Sequence, residues 1–150
     1  MVKNRIRLGV NIDHIATIKT NRKTPYPSLI DAVCIAEKNG ADLITVHLRE
    51  DRRHIQDQDL KEIKEKANLL NLEMALTPEM IEICLQTMPA FCCIVPENRQ
   101  ELTTEGGLDI KGMGDKKFNF LTDTIQKIQS KNIGASLFID PDTDQIDLCI

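Results

Sequence analysis

Residues 43–49 have the sequence LITVHLR, a short apolar run that ends in a histidine and an arginine. Similar runs recur at RLGVNID (7–13), LNLEMA (70–75), FCCIVPE (91–97) and ASLFID (135–140). Near-continuous apolar runs of this length are typical of strands that are buried on both faces of a parallel sheet. The sequence therefore predicts five parallel β-strands.

Helical patterns separate these strands. Apolar residues recur at helical spacing over residues 27–39, 59–70, 78–88 and 115–130. Thr77 is a candidate N-cap before Pro78, and Asp142, with Gln145 three residues later, predicts a further helix start. Strands that alternate with helices favour an α/β fold with right-handed connections.

Two architectures use this order of elements: part of a TIM (β/α)8 barrel, or a complete flavodoxin-like open parallel sheet. Five units of roughly 30 residues are the first part of a barrel of about 250 residues. The last apolar face, Ile146, Cys149 and Ile150, stops without a C-cap, which favours the barrel. We expect residues 1–150 to be the N-terminal portion of one barrel domain that ends within the helix after strand five.

Composition excludes several classes of function. A net charge of −4, with one Tyr and no Trp, argues against nucleic acid as the principal partner. No apolar run reaches the 18 or so residues of a membrane span, and the first residues lack the apolar stretch of a signal peptide. Five cysteines without a CxxC pair predict reduced thiols packed in the core. We therefore expect a cytoplasmic protein that has no membrane partner and binds a small metabolite.

Polar residues follow all five predicted strands at their carboxyl ends. They are Asn11, Asp13, His14, His47, Arg49, Glu73, Glu97 and Asp140. The carboxyl ends of barrel strands converge on one mouth, so these side chains predict a site there. For Asp13 and Asp140, capping of the following helix is the alternative.

His47 and Glu73 are the candidate bases. His47 and Arg49 are two strand residues apart and point the same way, and the guanidinium disfavours protonation of the imidazole. Glu73 is a carboxyl among apolar residues, where burial raises its pKa. The alternatives are a hydrogen-bonded core histidine and a buried salt bridge.

Arginines gather in two loops. Arg49, Arg52 and Arg53 lie with His54 in HLREDRRH, and Arg22 lies in TNRKTP. Guanidinium groups in an acidic chain predict recognition of an anion such as phosphate. The alternative is a solvated charge run that pairs with Glu50 and Asp51. The segment RQELTTEGGLD, residues 99–109, adds hydroxyls and a Gly-Gly pair, and the spacing of the histidines does not predict a metal site.

The segments GVNIDHIAT, ADLITVHLREDRRHI, NLEMA, FCCIVPE and RQELTTEGGLD, in this order and spacing, resemble the pyridoxine 5'-phosphate synthase family from about Leu8 to the end of the chain. That family is a TIM barrel. Its enzymes condense 1-deoxy-D-xylulose 5-phosphate with 3-amino-2-oxopropyl phosphate to give pyridoxine 5'-phosphate and phosphate, without metal or organic cofactor.

The resemblance implies a role for each matched residue. His47 and Glu73 would be the proton-transferring bases, and Arg22 would contact the aminoketone phosphate. The residues that would hold the deoxyxylulose phosphate are Asn11, Asp13, His14, Arg49, His54 and Thr103. The family's homo-octamer is expected as the assembly.

The sequence stops after the fifth strand, so the family's late strands, with a general-acid histidine and glycine-rich phosphate contacts, are not in these 150 residues. We expect the 150 residues alone to be inactive. A competing interpretation is a non-catalytic module, either a phosphate-ligand binder or a remnant half barrel that pairs with another chain.

Overall fold

The computed structural model describes residues 5–97 and 106–150. Each strand overlaps one of the predicted apolar runs. The strands are β1 (Gly9–Asn11), β2 (Leu43–His47), β3 (Leu70–Ala75), β4 (Phe91–Val95) and β5 (Gly134–Leu137). The helices are α1 (Asp13–Arg22), α2 (Leu29–Lys38), α3 (Asp57–Lys66), α4 (Pro78–Thr87), α5 (Asp115–Gln129) and α6 (Thr143–Asp147).

The strands form one parallel sheet in the order β1-β2-β3-β4-β5. Val46 of β2 is paired with Leu72 of β3. A flavodoxin-like sheet would place β1 between β2 and β3, so this pairing excludes that alternative. The order is that of consecutive barrel strands, which confirms the α/β prediction. Within the described residues β1 and β5 each have one neighbour, and the sheet is not closed.

The two faces of the sheet differ in chemistry. Ile44, Val46, Leu72 and Ile94 lie on one face and belong to the hydrophobic core, together with helix residues such as Ile63. The pairing register places a different set on the opposite face: Thr45, His47, Asn71, Glu73, Cys93 and Ser136. We call this second set the polar face. Helices pack against the apolar face, and the polar face carries the titratable side chains of the strands.

Helix α1 is the main departure from the predicted elements. The pattern analysis placed one helix between the first two strands, and the structure has α1 and α2 there. In α1 the buried residues are Asp13 and Ala16, so no apolar stripe marks this helix. Its position directly after β1 fixes where the polar residues of the first loop lie.

Local signals agree with the structure at other helix ends. The Thr77 hydroxyl accepts a hydrogen bond from the Met80 N–H at 3.4 Å, and Asp142 accepts from the Gln145 N–H at 3.1 Å. Helix α3 ends at Lys66, earlier than predicted, because Leu70 already belongs to β3.

The five cysteines are all free thiols. Cys84 and Cys92 are buried and Cys93 is half-buried, whereas Cys34 and Cys149 are exposed. The prediction that all five lie in the core is therefore wrong for two of them. Among the described residues, no helix combines the length and the apolar character needed to cross a membrane.

The segment before α5 is hydrogen-bonded to the residues that follow β5. The Gly107 N–H donates to an Asp140 carboxylate oxygen at 2.9 Å, so Asp140 does not cap the next helix. The Ile110 N–H donates to the buried Gln145 side chain at 2.8 Å. A Cβ at Gly107 would lie 2.2 Å from the Asp140 backbone nitrogen, whereas one at Gly106 would meet nothing within 4 Å.

We expect Gly107→Ala to lower the free energy of unfolding by roughly 1–3 kcal/mol, because backbone must move to admit the methyl group. Gly106→Ala is the matched control and should change stability much less. Urea unfolding of both variants measures the difference. Equal effects would contradict the close approach at Gly107.

Candidate active site

The carboxylate of Asp13 joins the carboxyl ends of β1 and β2. It accepts a hydrogen bond from the His47 backbone N–H at 2.9 Å and another from the Asn11 side-chain amide at 2.9 Å. Asp13 is the first residue of α1, and its carboxylate does not cap that helix. Burial raises the pKa of Asp13, and the two donated hydrogen bonds oppose that rise. Asp13 therefore has a positioning role, and the capping alternative is wrong.

His47 ends β2 on the polar face and is only 8% exposed. Its pKa is lowered to about 4, first by burial and then by the charge of Arg49. The sequence predicted that Arg49 lowers the pKa of His47, and burial of the imidazole makes the larger contribution to this lowering. The imidazole is therefore neutral at pH 7 and has a lone pair that can accept a proton.

Glu73 of β3 is the register partner of His47, so both side chains lie on the polar face. The Glu73 side chain has no ion-pair partner within the described ranges, which argues against the salt-bridge alternative. Burial raises its pKa, and the nearby charge of Asp13 raises it further. Two neighbouring strands thus carry a histidine that is neutral at pH 7 and a carboxyl whose pKa lies above its usual value.

Arg49 is an almost fully buried cation in the loop after β2, with 4% of its surface exposed. Its Nε atom lies 3.3 Å from an Asp51 carboxylate oxygen and 3.7 Å from an oxygen of Glu97. The Glu97 side chain is completely buried, and the same Glu97 oxygen accepts from the Glu50 N–H at 2.9 Å. Glu97 thus links the end of β4 to the loop after β2.

His54 lies beside the first turns of α1. Its Nδ1 atom is 2.7 Å from the Thr17 hydroxyl, and its ring centroid is 6.5 Å from that of His14. Burial lowers the pKa of His54, and the nearby Asp13 carboxylate opposes this. His14 and His54 therefore lie near Asp13, as the interpretation of one shared site requires.

The other two arginines of this loop bind protein groups. Arg52 donates to the carboxylates of Asp57 and Glu79, and Arg53 donates to Asp51. The pairing with Asp51 that the alternative predicted is made by Arg53 and also by Arg49, whereas the carboxylate partners of Arg52 are Asp57 and Glu79. These contacts stabilise the loop that carries Arg49 and His54.

One predicted residue lies away from this group, and another lies outside the described residues. Arg22 is the last residue of α1, exposed, and roughly 13 Å from Asp13 along the helix axis. Thr103 lies outside the described residues, as does most of RQELTTEGGLD. The roles predicted for these two residues stay predictions.

Glu97 is the site residue that sequence reasoning left without a role. Its position after β4 placed it among the polar strand ends. Its contact with the loop after β2 depends on tertiary packing, which a single sequence does not show.

No group of three or more metal-ligating side chains comes together within residues 5–97 and 106–150.

A barrel-type parallel sheet with titratable groups gathered at its carboxyl ends is the arrangement of an α/β enzyme that acts on a small molecule. Comparison with known proteins agrees. Residues 8–150 match the family model described as pyridoxal phosphate biosynthesis protein PdxJ. The chain belongs to this family.

Curated relatives carry the name pyridoxine 5'-phosphate synthase. The protein of Ehrlichia chaffeensis is 52% identical over 143 residues, which are 95% of this chain and 58% of the relative. The protein of Photobacterium profundum is 54% identical over 145 residues, 96% of this chain and 58% of the relative. The chain thus spans less than two thirds of the length of these relatives.

We expect the free energy of unfolding to fall on acidification because of the lowered pKa of His47. The folded protein keeps this histidine neutral down to about pH 4, whereas an unfolded histidine binds a proton near pH 6.5. Since the unfolded state takes up more protons in this window, stability falls as pH drops from about 6.5 to about 4, by a few kcal/mol at most.

Chemical unfolding of the wild type and of His47→Asn at several pH values in this window tests the expectation. The variant should lose less stability on acidification. Raised carboxyl pKa values act in the opposite direction, but they are common to both proteins. An equal loss in both proteins would remove His47 as the cause.

Proposed function

We propose that the protein represented by this chain is a pyridoxine 5'-phosphate synthase. It condenses 1-deoxy-D-xylulose 5-phosphate with 3-amino-2-oxopropyl phosphate and releases pyridoxine 5'-phosphate and inorganic phosphate. The observation that carries the proposal is the register pairing of His47 with Glu73 on the polar face, in a chain of the PdxJ family. His47 is neutral at pH 7 and can accept a proton, and the raised pKa of Glu73 suits this carboxyl to return one.

The proposed chemistry uses these two groups in sequence. The amine of one substrate and the ketone of the other form a Schiff base, water and phosphate leave, and a carbon nucleophile closes the ring. Each step moves a proton between carbon, nitrogen or oxygen. His47 takes protons as a neutral imidazole, and Glu73 takes them when ionised and returns them when protonated.

Substrate binding is proposed to divide between two regions. Arg49, Asn11, Asp13, His14 and His54 lie near one another and would hold the deoxyxylulose phosphate, with Thr103 added from the resemblance. Arg22, at the other end of α1, would contact the aminoketone phosphate. The burial of Arg49 supports its part, because a desolvated guanidinium binds phosphate oxygens strongly.

We also propose that the 150 residues alone do not catalyse the reaction, because the described sheet is open and the family resemblance implies further site residues on later strands. Joining this chain to the C-terminal part of the Ehrlichia chaffeensis relative would supply them. We further infer a cytoplasmic enzyme without metal or organic cofactor that assembles as a homo-octamer. These inferences rest on the family resemblance.

The joined protein, given both phosphates, should form pyridoxine 5'-phosphate, measured by chromatography. In that protein His47→Ala should lower kcat by roughly 10²–10⁴, the usual contribution of general acid-base catalysis, with less change in KM. Lys61→Ala on the exposed surface of α3 is the control. Absence of product from the unsubstituted protein would contradict the proposed function.

Arg22 and Arg49 should affect different substrates. If each binds its own phosphate, Arg22→Ala should raise KM chiefly for the aminoketone, and Arg49→Ala chiefly for the deoxyxylulose phosphate. Steady-state kinetics with one substrate varied at a time measures both. Equal weakening toward both substrates by each variant would refute the division.

A further inference from the structure

Two buried polar atoms face each other in the site without a hydrogen bond. Nε2 of His47 lies 3.6 Å from Oε2 of Glu97. In the part of the chain that the structure describes, both atoms are inaccessible to solvent and neither has a hydrogen-bond partner. Unsatisfied buried polar atoms are costly and rare, so this pair calls for a physical explanation.

Both side chains are fixed by their neighbours. Asp13 holds the backbone of His47, and the Glu50 N–H holds the other carboxylate oxygen of Glu97. Closing the gap to a normal hydrogen bond takes less than 1 Å, a small side-chain rotation. Functional hydrogen bonds are often long before substrate binds.

The charge state of Glu97 determines which atom donates. Burial raises the pKa of Glu97. Two contacts favour its carboxylate form: the Glu50 N–H donates to it at 2.9 Å, and Nε of Arg49 lies 3.7 Å from the same oxygen. An ionised carboxylate has only acceptor atoms, so the imidazole must supply the hydrogen. The ring nitrogen that faces Glu97 then carries the proton of the neutral ring.

We propose that Glu97 is a positioning residue that fixes His47 in the tautomer with hydrogen on Nε2 and leaves the lone pair of Nδ1 as the proton acceptor. A proton that leaves the substrate binds Nδ1, and the imidazolium that forms is stabilised by the Glu97 carboxylate. No electron transfer or further reactant is needed. A carboxylate that orients a histidine in this way is a general device of acid-base sites.

This inference rests on the proposed function for its kinetic part, while the tautomer is a property of the protein alone. Nuclear magnetic resonance of ¹⁵N-histidine protein separates protonated from unprotonated ring nitrogens. The chain has three histidines, so His14→Gln and His54→Gln assign the signals. We expect Nε2 of His47 to be protonated and Nδ1 unprotonated at pH 7.

The opposite tautomer in the unsubstituted chain would overturn the inference, and so would the averaged shifts of a solvent-exposed imidazole. In Glu97→Gln, which keeps the shape but loses the charge, the two tautomers should become mixed. Glu79→Gln is the matched control, because Glu79 binds Arg52 and does not contact His47. It should leave the His47 signals unchanged.

Kinetics of the joined protein then separate two roles for Glu97. Glu97→Gln should lower kcat by roughly 10- to 100-fold, with little change in either KM, the size of effect expected when the partner of a functional histidine is removed. A rise in KM alone would assign Glu97 to Arg49 and overturn its role at His47. Absence of product from the unsubstituted protein, with the expected tautomer present, would reject the synthase proposal and leave the tautomer assignment in place.

Discussion

The hydrogen bonds to the Asp13 carboxylate join the carboxyl ends of the first two strands, where the site lies. One carboxylate connects the His47 backbone in β2 to the Asn11 side chain at the end of β1. Hydrogen bonds to a charged acceptor contribute about 1.5–3 kcal/mol each, enough to fix the relative position of two strand ends. The backbone of His47 is thus anchored, and its Nε2 atom lies 3.6 Å from a Glu97 oxygen. The loop beyond His47 carries Arg49 and His54.

The contrast between the two sheet faces explains the electrostatics of the site. The apolar face packs against helices and stabilises the fold. The polar face places His47 and Glu73 on neighbouring strands without a salt bridge between them. Desolvation is the first cause of the shifted pKa of each, in opposite directions, because one charged form is a cation and the other an anion. Burial thus lowers the pKa of the histidine and raises that of the carboxyl.

The sequence contains most of the fold and part of the site. Five strands can be predicted from apolar runs, because these runs depend on local pattern. The predicted effect of Arg49 on the pKa of His47 is present, although β2 ends at His47 and Arg49 lies beyond the strand. Helix α1 has no apolar stripe, so the sequence pattern does not predict it. The contact of Glu97 with His47 depends on how the end of β4 packs against the loop after β2. Such a contact is a product of tertiary structure rather than of spacing.

The strand order has a consequence for how the molecule is made. Every strand pairs with the one before it in the chain, so each hydrogen-bonded neighbour has already been synthesised when the next strand leaves the ribosome. The bond between Asp13 and His47 spans 34 residues and needs only β1 and β2. Closing this loop has an entropy cost that grows only slowly with loop length, and no later strand is needed to close it. The sheet can therefore grow strand by strand during translation, with the first part of the site assembled before β3 exists.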